Sequence, residues 1–189
     1  MAMGKLTNLL IVAGVGRNVG KTEFVCRLIA QFADQKEVFG LKVSAIHPDE
    51  AIYHGDHSTL PAGICLFEET RAGLDKDTSR MLQAGAKKVY YLQGDDEQIR
   101  AGFEQFQHLI PESAPIVCES SSLWKYVQPG LLVLIKSAAV EIKPRALEIE
   151  EHASLIVESD GLSGFSQLES IIYSDVHGWS CDFRQPVRD

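Results

Sequence analysis

The stretch from Thr7 to Ala33 constrains the fold more than any other. Thr7 to Ala13 (TNLLIVA) is a continuous apolar run, a turn rich in glycine follows, and Lys21 to Ala33 (KTEFVCRLIAQFA) sets Phe24, Val25, Leu28, Ile29 and Phe32 at helical spacing. An unbroken apolar run of this length suits a strand covered on both faces, as in a parallel sheet. The order strand, glycine turn, helix is therefore legible from periodicity alone.

The alternation continues downstream. Val38 to Ile46, Gly63 to Phe67, Lys88 to Leu92, Pro115 to Cys118, Leu131 to Ile135 and Ser154 to Val157 read as strands. Helices are expected over Asp75 to Ala84, with Asp75 or Asp77 as N-cap and Gly85 just past the end, over Asp96 to Leu109, and over Pro144 to His152. His47 to Pro61 reads as a polar loop. Strands alternating with helices predict an α/β fold with a mostly parallel, doubly wound sheet and helices on both faces. No repeat or long linker breaks residues 1–189, so one domain is expected, with 161–189 as a helix and tail packed on it.

Composition narrows the function. The net charge is −8, from 18 basic and 26 acidic residues, which disfavours general nucleic-acid binding while leaving room for one local anion site. Cys26, Cys65, Cys118 and Cys181 form no CxxC pair, and three lie in apolar runs, as reduced buried thiols do. The N-terminus lacks a signal-peptide pattern, and Leu9 to Val15 is too short to span a bilayer. A cytoplasmic protein without membrane association is the expectation.

The turn itself reads Gly14-Val-Gly-Arg-Asn-Val-Gly-Lys-Thr22. Glycines let backbone approach phosphate oxygens, successive N–H groups and the helix start attract an anion, a lysine reaches the β and γ phosphates, and a threonine hydroxyl completes a Mg²⁺ shell. Gly20, Lys21 and Thr22 supply the last three parts. Five residues separate Gly14 from the GK pair and three separate Gly16 from it, against the usual four. The expected nucleotide contacts are Gly16, Arg17, Asn18, Val19, Gly20, Lys21, Thr22 and Glu23. A plain glycine turn with a surface lysine is the bland alternative, and the flanking strand and helix argue against it.

This loop resembles the GTxxxxGKT loop of dethiobiotin synthetase, within the P-loop NTPase group that includes cobyrinic acid a,c-diamide synthase and the MinD/ParA ATPases. Leu41-Lys-Val-Ser-Ala-Ile-His47, Lys76-Asp-Thr-Ser-Arg80 and Ala84-Gly-Ala86 are in turn similar to elements of the molybdopterin-guanine dinucleotide biosynthesis adaptor. The match runs over about the first 120 residues. By these resemblances Lys42 would contact the substrate or the γ-phosphate, and the alternative is a lysine reaching solvent from a strand end. Glu119 would hold Mg²⁺, although Ser120, Ser121 and Ser122 stand where both families have glycine. Lys21, Lys42 and Glu119 are the candidate catalytic residues, and Thr22, Glu119 and Asp77 the candidate metal ligands. Asp77 is equally a helix cap, Arg80 would be a phosphate clamp, and Arg17 either reaches phosphate or is solvated. Both families form homodimers, which implies the same here.

Three functions remain open at this level. One is an NTP–Mg²⁺ binding protein, ATP or GTP, with NTPase activity that assists a cofactor-biosynthesis enzyme. The second is a kinase or ligase acting on a small-molecule substrate, and the third is a nucleotide-gated dimeric switch. The third is disfavoured because the loop has no lysine near its start. No NKxD element selects guanine, Asp160 is a candidate base or ribose partner, and His47 to His57 reads as a lid or, less readily, a transition-metal loop.

Overall fold

The computed structural model describes residues 4–46, 65–137, 144–160 and 164–182, with 144–146 as backbone alone. In chain order these form β1 (Leu6–Gly14), α1 (Lys21–Ala33), β2 (Phe39–Ala45), β3 (Leu66–Glu69), α2 (Asp77–Gln83), β4 (Lys88–Gly94), α3 (Asp96–His108), β5 (Ile116–Glu119), β6 (Pro129–Ser137), α4 (Pro144–His152), β7 (Leu155–Ser159), β8 (Ile171–Ser174) and β9 (Gly178–Cys181). The expected strands and helices are present, with ends displaced by up to a few residues. The polar loop expected from His47 to Pro61 lies outside the described residues.

Seven strands form one sheet in the order β3-β4-β2-β5-β1-β6-β7. All neighbours in it run parallel except β3, which pairs antiparallel with β4 at the edge. The central β1 explains its own position: Leu9 to Ala13 are fully buried, so both faces are covered, as the apolar run predicts.

Helices cover both faces. A Cβ on Gly40 of β2 would stand 3.5 Å from Met81 Sδ of α2, so α2 crosses the face to which Gly40 belongs, and α1 packs beside α2. On β4, Tyr90 meets Phe106 of α3 edge to face with ring centroids 5.4 Å apart, which places α3 on the opposite face. The connection after β5 lies between α3 and α4: Arg100 sits 4.9 Å from the Tyr126 ring centroid, and Trp124 stacks on His152 at 5.1 Å. Each crossover thus returns on the side that a right-handed connection requires. The chain leaves β1 toward β2 and leaves β5 toward β6, in opposite directions. The ends of β1 and β5 therefore flank a topological switch point, the position at which open α/β sheets bind ligands.

Helix ends follow local chemistry. Asp95 accepts from Glu97 N and Gln98 N, and Gln98 returns a bond to Asp95 N, so α3 starts on a capping box. Gly85 past α2 has φ 102°, the left-handed geometry glycine accepts. The expected cap of α2 is different: Lys76 is the N-cap, without a side-chain bond, and Asp77 is engaged elsewhere. The expected helix after Gly161 is also absent from 164–182. That segment holds a 3-10 turn over Ser166–Ser170 and an antiparallel hairpin, β8 with β9. The β-branched and aromatic run Ile171-Ile172-Tyr173 favours a strand. Trp179 anchors the hairpin, 2% exposed and edge to face with Phe32 of α1 at 5.0 Å. All four cysteines are free, but only Cys118 is fully buried; the others are half-buried.

Candidate functional site

The site forms where the ends of β1, β2 and β5 meet the starts of α1 and α2. The turn between β1 and α1 is shaped by two left-handed residues, Asn18 at φ 56° and Gly20 at φ 93°. Asparagine tolerates this region better than other side chains, and glycine needs no tolerance. Val15 and Val19 are 2% and 1% exposed and pin the turn to the core. A Cβ on Gly14 would lie 2.7 Å from Val19 Cγ2 and 2.8 Å from Lys21 Cδ. Gly14, five residues before the GK pair, is therefore the glycine over which the loop folds back. Helix α1 then begins without a side-chain cap, leaving first-turn N–H groups for an anion.

Four side chains meet beside this turn. Lys42 and Glu119 occupy one rung of β2 and β5, so both project from the same face. Alternation along β2 puts Lys42 on the face of Gly40, the one that α2 covers, and Asp77 is the first residue of α2. Lys42 Nζ donates to Asp77 Oδ2 at 2.8 Å and to Glu119 Oε1. Thr22 Oγ1 lies 3.0 Å from Asp77 Oδ1 and 2.8 Å from Glu119 Oε2. The four groups close a ring in which each carboxylate faces Lys42 with one oxygen and Thr22 with the other. One hydroxyl carries one proton, so Thr22 donates to only one of the two carboxylates at a time.

The electrostatics follow from burial. Glu119 is 2% exposed and requires a counter-charge. Burial alone pulls the Lys42 ammonium down, but Glu119 and Asp77 outweigh it and hold its pKa above the ordinary value. Burial raises the Asp77 carboxyl, and the bonds from Lys42 and Thr22 more than reverse that, leaving it lowered. Lys21 is the opposite case. Its Nζ donates to Gly16 O at 2.6 Å, and burial, with Lys42 and Arg17 adding repulsion, lowers its pKa despite the attraction of Glu119 and Asp77. A buried cation with too little negative charge around it is a place where an added anion is stabilised.

Thr22, Asp77 and Glu119 present hard oxygen donors. Ligand oxygens at 2.0–2.1 Å from an octahedral Mg²⁺ stand about 2.9 Å apart, and the observed 2.8 and 3.0 Å separations fit that spacing. Among the described residues no group of three or more His, Cys, Asp and Glu is placed to hold a metal ion, so the donors here are two carboxylates and one hydroxyl. The loop from His47 to His57 lies outside them.

Other candidates fall elsewhere. Arg80 donates to Glu23 Oε2 at 2.7 Å, and Arg27 donates to Glu23 Oε1 at 2.8 Å, so Arg80 is engaged by a surface pair and not by the ring. Arg17 and Asn18 are exposed at the tip of the turn. Asp160 follows β7, whose last residue abuts the turn: a Cβ on Gly20 would stand 3.3 Å from Ser159 Oγ and 3.2 Å from Phe165 Cζ. Ser159 and Phe165 line the loop without any sequence signal that marks them. Ser121 was legible only as part of the serine run, and its Oγ lies 3.4 Å from Gly14 N and Gly14 O, joining the end of β5 to the loop. No family model matches the chain, and no curated protein or solved structure matches it.

Proposed function

We propose that this protein is a P-loop nucleotide-binding protein that binds ATP or GTP with Mg²⁺ and hydrolyses it, acting beside a cofactor-biosynthesis enzyme. The observation that carries the reading is the convergence of a glycine turn, an uncapped helix start, Lys21, Thr22, Asp77 and Glu119 at one set of strand ends. Backbone N–H groups of Gly16 to Lys21 would surround the β-phosphate. Lys21 would leave the Gly16 carbonyl for the β and γ phosphates. Thr22, Glu119 and Asp77 would hold the metal, which when bound neutralises charge on the phosphate oxygens. Lys42 would face the γ-phosphate, where it stabilises charge in the transition state. The cofactor-biosynthesis role and a homodimer are supported by the similarity of Leu41 to His47 and Lys76 to Ala86 to the molybdopterin-guanine dinucleotide adaptor.

One observation favours a second reading, phosphorylation or ligation of a small metabolite. Gly14 packs closely against Val19 and Lys21, and it stands at the five-residue spacing of dethiobiotin synthetase. Nucleotide turnover that rises only when a metabolite is added would favour that reading over slow intrinsic hydrolysis.

Thermal unfolding with Mg²⁺ and ATP, GTP or neither tests the proposal, in wild type and Lys21→Ala. Ligand at 100 times its dissociation constant adds about 2.7 kcal/mol of stability. For a chain of this size the melting temperature should rise by about 5 to 11 °C with the preferred nucleotide, and the rise should vanish in Lys21→Ala. No rise with either nucleotide at millimolar concentration would overturn the proposal.

A further inference from the structure

We infer that Lys42 is a built-in competitor of the divalent cation: it offsets one of the two negative charges of Asp77 and Glu119 in the nucleotide-free protein, weakens the binding of free metal, and yields to metal arriving with a polyphosphate. The inference rests on the cation-site reading above and adds an order of binding to it.

The ring of Lys42, Asp77, Thr22 and Glu119 carries the argument. Its ammonium donates to one oxygen of each carboxylate, while the other oxygens, Asp77 Oδ1 and Glu119 Oε2, lie against Thr22 Oγ1. The pair of negative charges is thus already shared by one cation. A divalent ion entering among Oδ1, Oε2 and Oγ1 would have the ammonium on the far side of the same two carboxylates. Like charges at that range repel strongly, most of all where water is scarce, and Glu119 is 2% exposed and Lys42 18%. Free metal therefore meets a site in which half of the carboxylate charge is already offset and a cation stands close by.

A polyphosphate changes that balance. Lys21 and Lys42 lie near enough to repel each other, and Lys21 has only the Gly16 carbonyl as its hydrogen-bond partner among the described residues. Phosphate oxygens placed between the two ammonium groups give both a counter-charge. Lys42 has a flexible four-carbon stem and three donors, so it can exchange a carboxylate for a phosphate without backbone movement. The vacated carboxylate charge then belongs to the metal. Metal and polyphosphate bind with positive coupling, each removing the obstacle to the other.

Mn²⁺ binding, read from the electron paramagnetic resonance signal of the free ion, tests this. Wild type, Lys42→Met, Lys42→Gln and Lys42→Arg are titrated without nucleotide and with a non-hydrolysable ATP or GTP analogue. Thermal unfolding establishes which variants are folded, and the glutamine variant serves if the methionine one is not. Nucleotide-free Lys42→Met or Lys42→Gln should bind Mn²⁺ at least about tenfold more tightly than wild type. Lys42→Arg, which keeps the charge, should stay as weak as wild type. With the analogue present, the advantage of the neutral variants should shrink to less than about threefold. Neutral variants that bind free Mn²⁺ no better than wild type would overturn the inference, and wild-type nucleotide binding in that same experiment would leave the proposed function standing. Tightened Mn²⁺ binding in proteins that take no nucleotide would support the role of Lys42 and count against the nucleotide.

Discussion

Burial decides how individual side chains behave around the ring. Cys26 lies on α1, one turn beyond Thr22, and is half-buried. Burial pushes its thiol up to about 11, against the opposing pull of Arg80. Since the thiolate is the nucleophile, Cys26 should be almost inert to iodoacetamide at pH 8. Its alkylation rate, followed by mass spectrometry of the native protein, should climb about tenfold per pH unit and level off only near pH 11. In the unfolded chain the thiol ionises near its ordinary value of 9.0, so raising the pH from there toward 11 also favours unfolding. Rapid labelling of Cys26 at pH 8 would show that the packing of α1 against α2 is looser than described. Lys42 was legible in the sequence as a charge inside an apolar strand, but its partners were not. That Asp77 completes the ring depends on the rung shared with Glu119 and on α2 crossing the Gly40 face, both long-range facts.

The turn from Gly14 to Gly20 shows how an element can depend on chain far away in sequence. Gly20 needs its left-handed φ of 93°, and a methyl group there would also press on Phe165 Cζ at 3.2 Å and Ser159 Oγ at 3.3 Å. Gly73 has a similar φ of 83° with nothing within 4 Å of an added Cβ, so it isolates the backbone cost. Gly73→Ala should lose about 1 to 2 kcal/mol in urea unfolding. Gly20→Ala should lose more, because overpacking adds to the backbone cost, and should abolish any nucleotide-dependent rise in melting temperature. Equal losses would mean that Phe165 and Ser159 impose nothing on the turn. The glycine pattern made the turn recognisable, and periodicity set the helix behind it. That Val19 and Lys21 fold closely over Gly14 is a packing fact that the glycine pattern does not carry.

Across the molecule, the C-terminal hairpin ties the first helix to the start of β1. Trp179 packs on Phe32 of α1 at 5.0 Å and on Tyr173 of β8 at 4.8 Å, and a Cβ on Gly178 would lie 2.0 Å from Thr7 O. Trp179 Nε1 is buried without a hydrogen-bond partner among the described residues, which reduces what the ring contributes. Trp179→Ala should therefore cost about 3 to 5 kcal/mol, measured by urea unfolding. Trp179→Phe, which keeps an aromatic ring and removes the stranded donor, should cost less than about 1.5 kcal/mol. A single cooperative transition in both would show that the hairpin belongs to the same folding unit as the sheet. Similar losses in the two variants would instead assign the stabilisation to the size and shape of the full indole ring. Among the described residues no helix is long and apolar enough to cross a membrane.

Local pattern alone determined the alternation of strands and helices, the doubly wound class and the position of the glycine turn, because apolar periodicity and turn chemistry act over neighbouring residues. It also marked Lys42, as a charge inside an apolar run, and Glu119, as a charge at the end of one. Sequence could not assign Asp77 to the ring instead of a helix cap, engage Arg80 with Glu23, or make residues 171–181 a hairpin instead of a helix. Strand order decided the first, and the packing of α1 beside α2 the second. Setting β5 between β1 and β2 brings Glu119 level with Lys42, and contacts across that distance in sequence arise only when the sheet assembles.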